Sequence, residues 1–412
     1  MNILEPQLNT RYCDLVAAHL KYLTVDTRDR SVGCQGNHEA TRYVAEFFSA
    51  HKWRTEVPSF RALDWHTDGA TLTAVDGTEF HVFASPYARG CDVHAPLTAV
   101  STVEALEKAD TANKLLLLHG PIAATPLMPK NFPFYSVEEH QKIIALLEKS
   151  DAVGIICATT RDSVAAGGVY PAPMIEDGDF IIPSVFTSQE EGERLLQCVG
   201  QNLTLISQSR QIPTRAANVI GRINEGALQR IVVTAHIDAK KGVPGALDNG
   251  TGIATLLLLS ELLADYKGSF CIELVALNGE DHYAVPGQVA YMTTNRNTFD
   301  AVALNINVDG VGYIEGETAF SLFDLPADME QSAEIELLSQ PGACKGILWP
   351  QGDHSMFVQS GCPALAVTSN WLLENMAVQT ITHTNSDNIS LVAPDKVVSC
   401  AISLKRFIEA IS

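Results

Sequence analysis

VTAHIDAKKGVPGALDNGTG, residues 233–252, is the stretch on which the reading of the chain turns. The apolar run Arg230–Ala235 has the composition of a strand buried on both faces. It breaks into His236-Ile237-Asp238. A loop broken by glycine and proline follows, then Asp248-Asn249, then an almost wholly apolar stretch that reads as a buried helix. A buried strand feeding a buried helix implies a layered α/β architecture. The histidine and the two acids at the junction need a separate reason.

The same pattern recurs downstream. Apolar strand runs alternate with helices in NVIGRI (218–223), FCIELVALNGED (270–281), AVALNINVDGVG (301–312) and CPALAVTSN (362–370). Such runs predict a mixed, largely parallel sheet sandwiched by helices. Upstream, residues 8–23 and 37–53 carry apolar residues at helical spacing. From about Phe60 the texture changes to short alternating runs such as ATLTAV (70–75) and EFHVFAS (79–85). KLLLLHG (114–120), SVEEHQKIIALLEKS (136–150) and AVGIICATT (152–160) read as strand, helix and strand. A Gly/Pro-rich segment (165–186) and a helix at SQEEGERLLQCV (188–199) follow, and RQIPTRA (210–216) marks a second change. At 412 residues, two domains are expected: one from 1–60 and 211–412, interrupted by a smaller α/β domain over 61–210.

Composition narrows the function. The net charge of −20 disfavours nucleic acid, which is bound through Lys and Arg, and suits a cationic ligand such as a protonated amine. No apolar run reaches the length of a membrane span. The first fifteen residues do not read as a signal peptide. Nine scattered cysteines without a C-x-x-C pair favour a reducing compartment, so a cytoplasmic location is expected.

Polar residues collect where the apolar strands end. His236 and Asp238 follow one strand, Glu280-Asp281 another, and Asp309 a third, while His383 and Asp387 lie in ITHTNSD (381–387) and Asp353-His354 in GDHSMF (352–357). Ligands bind outside the carboxyl ends of the strands in open α/β sheets. Imidazoles and carboxylates gathered there suit zinc, at roughly 2.0–2.2 Å from each ligand atom. Two ions about 3.5–4 Å apart need a carboxylate bridge, which Asp248 can supply. Asp238 is placed to accept the second N–H of the His236 ring. Taken singly, each residue is more ordinary: an Asp-Asn helix cap, a solvated turn, a surface-loop histidine. Together they are hard to explain as turn chemistry. A serine-hydrolase elbow is absent, HEATR (38–42) has Arg42 where a zinc-binding histidine would stand, and PGALDNGTG lacks the lysine of a phosphate loop.

In order, these motifs resemble the M28 (aminopeptidase Y-like) metallopeptidase family over residues 217–390, and the middle section is similar to a protease-associated lid domain. The resemblance implies that His236 and Asp309 hold one of two Zn²⁺ ions, Asp281 and His383 the other, with Asp248 bridging. It also implies Glu280 as general base, Asp238 as the residue orienting His236, and an exopeptidase, most often an aminopeptidase acting on peptides with a free N-terminus. Three positions depart from the family: Asp281 where Glu is usual, HYAVPGQVAYM (282–292) in place of a Gly-Ser turn, and Thr382 where some members have Tyr. Rival expectations are a glutaminyl-cyclase-like acyl transferase, which needs one zinc, a carboxypeptidase or dipeptidase on the same fold, and a non-catalytic binding module.

Overall fold

The computed structural model describes residues 6–27, 29–159, 173–376 and 378–412. The opening residues 1–5 and the first part of the Gly/Pro-rich segment, 165–172, lie outside the described residues. The chain divides into two compact units, Met1–Arg61 with Arg215–Ser412, and Ala62–Thr214. The border expected at 210–216 falls inside one continuous strand, Asn202–Ala217, and the border near Phe60 inside another, Ser59–Ala74. Strand texture does change there, but the backbone does not break.

The first unit is built on an eight-stranded sheet. Its order is Arg54–Glu56, Val219–Ile223, Cys271–Leu277, Arg230–His236, Val302–Val308, Ala364–Ser369, Thr318–Phe323, Ala343–Lys345. The four strands from Cys271–Leu277 through Ala364–Ser369 are parallel. Antiparallel neighbours flank them. The sheet is therefore mixed, with a parallel centre.

Alternation along each strand explains its two faces. Ile231, Val233 and Ala235 join Ile272, Leu274, Leu304, Ile306, Leu365 and Val367 in one apolar core. The helices Pro6–Lys21, Gln35–Ala50, Thr251–Leu262 and Pro394–Ala410 contribute to that core. The alternate residues face the other way and are more polar: Thr234 donates to Asn307 Oδ1 at 2.8 Å, and Tyr291 donates to the buried Glu273 carboxylate at 2.5 Å. His236 lies in this alternate set.

The helix Thr251–Leu262 is buried along ten consecutive residues, Thr251 to Ser260. Its polar members bond within the helix, Thr255 Oγ1 to Thr251 O at 2.9 Å and Ser260 Oγ to Leu257 O at 2.7 Å, so no hydroxyl is stranded. Leu257→Ala should cost about 2–5 kcal/mol through the cavity it leaves, read as a lower urea midpoint at unchanged slope.

The second unit carries its own eight-stranded sheet, with Cys91–Val100, Leu115–Leu118, Gly154–Ala158 and Ser184–Thr187 parallel at its centre. EFHVFAS, expected as one strand, forms two short ones, Glu79–Phe80 and Phe83–Ala84, which pair with different neighbours. Among the described residues no helix is long and apolar enough to cross a membrane. All nine cysteines are free thiols.

Candidate metal centre

Parallel register brings the strand ends level. His236 stands opposite Leu277, so the turn Asn278–Asp281 starts beside it; Thr234 pairs with Asn307, which sets Asp309 two residues farther on at the same edge. Asp248 arrives from the loop between strand and helix. Asn249 holds that loop in place: its Oδ1 accepts from Gly252 N at 2.9 Å, as a helix cap does, and its Nδ2 donates to Val308 O at 2.8 Å, next to Asp309. The Asp248–Asn249 peptide is cis.

Six of the seven expected residues converge on one spot. Asp248 presents Oδ1 to His236 Nε2 at 3.2 Å and Oδ2 to His383 Nε2 at 3.1 Å. Asp309 Oδ2 lies 3.6 Å from His236 Nε2, and Asp281 Oδ1 lies 2.9 Å from His383 Nε2. The result is two triads that share Asp248: His236–Asp248–Asp309 and Asp248–Asp281–His383, each with its ligand atoms within 4.8 Å of one another. Glu280 Oε2 is 4.0 Å from His236 Nε2, beside both triads rather than inside either.

The seventh residue, Asp238, is present but works differently from expectation. The His236 Nδ1 atom is 3.1 Å from the backbone carbonyl of Asp238 and 3.7 Å from its carboxylate, too far for a hydrogen bond. The carboxylate instead accepts three successive amides: Gly279 N at 2.6 Å, Glu280 N at 3.3 Å and Asp281 N at 3.0 Å. The carbonyl orients the imidazole, and the carboxylate fixes the turn that carries Glu280 and Asp281. Although burial opposes its ionisation, contact with His236 and the Gly279 amide hold the Asp238 carboxyl below the usual range.

Charge balance in this metal-free site is strained toward the negative. Burial opposes protonation of His236, yet Asp309, Asp238 and Asp248 outweigh it and hold the ring well above its ordinary range. For His383, Asp281 and Asp248 do the same. Burial, with Asp281, Asp309 and Asp353 near by, pushes Glu280 well up. His236 Nε2 and Asp281 Oδ2 are buried without a hydrogen-bond partner. Two imidazoles among four carboxylates, with ligand atoms left orphaned, fit divalent cations better than any arrangement of protons.

Sequence reading missed the supports. Arg30, buried to 2% exposure, donates to the carbonyls of Leu23, Ile237, Pro244 and Gly245 at 2.6–2.8 Å, pinning both ends of the loop between His236 and Asp248. Asp387 accepts from Leu247 N at 2.6 Å and Asp248 N at 3.0 Å. Lys240 Nζ donates to Asp281 O at 2.7 Å. Nothing local in the sequence marks Arg30, which is 207 residues from one of its partners. Asp387 stood in a quoted motif, but only the fold shows that it faces backbone amides. Of the Asp353-His354 pair, Asp353 is held by Gln288, and His354 lies against Trp349 and Phe323 instead of joining the triads.

The departures noted in the sequence have structural counterparts. HYAVPGQVAYM forms a turn and the helix Pro286–Asn295. Gly279 (φ +130°) must be glycine, because a Cβ there would meet the Pro286 ring at 2.6 Å. Thr382 Oγ1 accepts from Gln379 Nε2 at 2.5 Å within its own loop.

Comparison with known proteins agrees with this geometry. Residues 218–407, which contain every triad member, match the model of Peptidase family M28. Through this segment the chain belongs to peptidase family M28. It is 24% identical over 306 residues to a probable lipoprotein aminopeptidase, LpqL, of Mycobacterium tuberculosis, covering 72% of this chain but only 58% of that protein's length. Among solved structures, the aminopeptidase of Aneurinibacillus sp. strain AM-1 superimposes with a TM-score of 0.74 at 19% identity, over 98% of this chain and 94% of that one. A zinc aminopeptidase of Bacillus subtilis gives 0.73 at 18%, over 96% and 94%. At such identities the structural likeness speaks for the α/β fold.

Proposed function

We propose that this M28 chain is a dinuclear zinc exopeptidase that releases N-terminal residues from peptides. The observation that carries the reading is Asp248, one carboxylate whose two oxygens face two different imidazoles. His236 and Asp309 would hold one ion and Asp281 and His383 the other, with Asp248 shared. When bound, the zinc pair supplies Lewis-acid polarisation of the scissile carbonyl and a more acidic water. Glu280, beside both triads and 22% exposed, is placed to take the proton of the attacking water and return it to the leaving amine. Its raised proton affinity suits a group that must hold that proton between the two transfers. Acidic surroundings favour a substrate's protonated N-terminus. The names of the relatives, aminopeptidases and a zinc aminopeptidase, support the choice of metal and of chain end.

The expected result is two divalent ions per chain, no turnover after chelation, and recovery with Zn²⁺. Peptides with a free N-terminus should be hydrolysed and N-blocked ones should not. Metal content and both hydrolysis rates would be measured on one sample. Full activity with a single ion would favour the one-zinc acyl-transfer chemistry of a glutaminyl cyclase instead, and equal cleavage of blocked peptides would remove the aminopeptidase reading.

A further inference from the structure

His354 is the histidine that the metal centre does not use. It lines a second cavity, about 400 Å³, together with Phe323, Leu348, Trp349, Pro350 and Val358. That volume lies within the usual range for small-molecule sites, and the walls are mostly apolar. His354 itself is 1% exposed. Its Nε2 lies 2.9 Å from the carbonyl oxygen of Trp349, which can only accept, so Nε2 carries the hydrogen. Burial holds the ring neutral, with its pKa lowered to about 4. Nδ1 is therefore a bare lone pair, and it is buried with no hydrogen-bond partner. The indole Nε1–H of Trp349 is likewise buried without an acceptor. A donor and an acceptor left open on neighbouring rings of an apolar pocket are costly unless something fills them.

Gly352 keeps the acceptor reachable. A Cβ at that position would lie 3.3 Å from His354 Nδ1 and 3.1–3.2 Å from the Trp349 ring, closing the approach that glycine leaves free. Aromatic walls from Phe323, Trp349 and His354, with ring centroids 4.9 and 4.6 Å from the imidazole, suit a planar ring stacked or set edge-on among them. The required polar complement is one group that both donates and accepts.

We propose that this pocket binds a small aromatic alcohol of the phenol class, its hydroxyl donating to His354 Nδ1 and accepting from Trp349 Nε1. The site is separate from the triads, but the helix His354–Gln359 that walls it begins directly after Asp353, the buried carboxylate held by Gln288. Occupancy does not require metal.

The test is calorimetric titration of the full chain with p-cresol and with p-xylene, which has the same shape but a methyl in place of the hydroxyl. The expected result is saturable binding of one p-cresol per chain, at least about tenfold tighter than p-xylene, the value of one or two buried hydrogen bonds. His354→Phe should bring p-cresol down to the level of p-xylene. Val358→Trp should fill the cavity and abolish binding of both, and it decides the matter if the histidine variant fails to fold. Equal affinity for the two probes in the unaltered chain, or p-cresol binding unchanged in Val358→Trp, overturns the proposal.

Discussion

Glu280→Gln is expected to lose roughly 10²–10⁴-fold in turnover number, the usual worth of a general base, while retaining both metal ions. Glu280 lies beside the two triads without belonging to either, so its amide removes no ligand atom. Asp281→Ala should behave in the opposite order. It deletes the carboxylate 2.9 Å from His383 Nε2, so an ion is lost first and activity falls as a consequence. Excess zinc should partly restore Asp281→Ala and leave Glu280→Gln unchanged. The two residues are adjacent in a turn, and their side chains differ by one methylene. The shorter one meets His383, and the longer one stays free to serve the water. Metal stoichiometry and turnover on both variants check the assignment. Loss of metal from Glu280→Gln, with Asp281→Ala still loaded, would reverse the two roles.

Much of this site was legible in the sequence because strand ends in a parallel sheet collect at one edge. Once Arg230–Ala235, Cys271–Leu277 and Val302–Val308 were read as parallel strands, His236, Glu280-Asp281 and Asp309 had to lie near one another. Asp248 could be placed because glycine and proline mark its loop and an apolar helix follows. What could not be read depends on contacts across long sequence separation. Arg30 gathers four carbonyls from three segments, and no spacing rule predicts that a buried guanidinium will find carbonyls rather than a carboxylate. The domain border near residue 210 was placed by a change of texture, yet the strand Asn202–Ala217 runs straight through it. Hydrophobic pattern reports which faces are buried, and it is silent on where a continuous strand passes from one unit to the next. His354 shows the same limit from the other side. It shares a motif with Asp353, but its ring turns into a different cavity.

Asp238 gives the sharpest case of a residue found in the right place with the wrong duty. From sequence, its carboxylate should orient His236. In the structure the ring nitrogen meets the Asp238 carbonyl, and the carboxylate collects the amides of Gly279, Glu280 and Asp281. Asp238→Asn separates the two ideas. An asparagine keeps one oxygen, enough for the Gly279 and Glu280 amides, which share Oδ1. Its NH₂ then faces the Asp281 amide, donor against donor, in a fully buried position. The unpaired donors should destabilise the fold by about 2–4 kcal/mol. The turn must shift to relieve the contact, and it carries both the proposed base and one ligand, so turnover should fall by about 10²-fold or more. His236 keeps its partner, because the backbone carbonyl is untouched by the substitution. Zinc should therefore weaken first at the Asp281–His383 position and hold at His236–Asp309, a difference that anomalous scattering from zinc-soaked crystals would resolve site by site. If the carboxylate orients the imidazole after all, the asparagine oxygen can still accept from the ring. The Asp281–His383 position would then keep its zinc, and any loss would fall on the His236–Asp309 position.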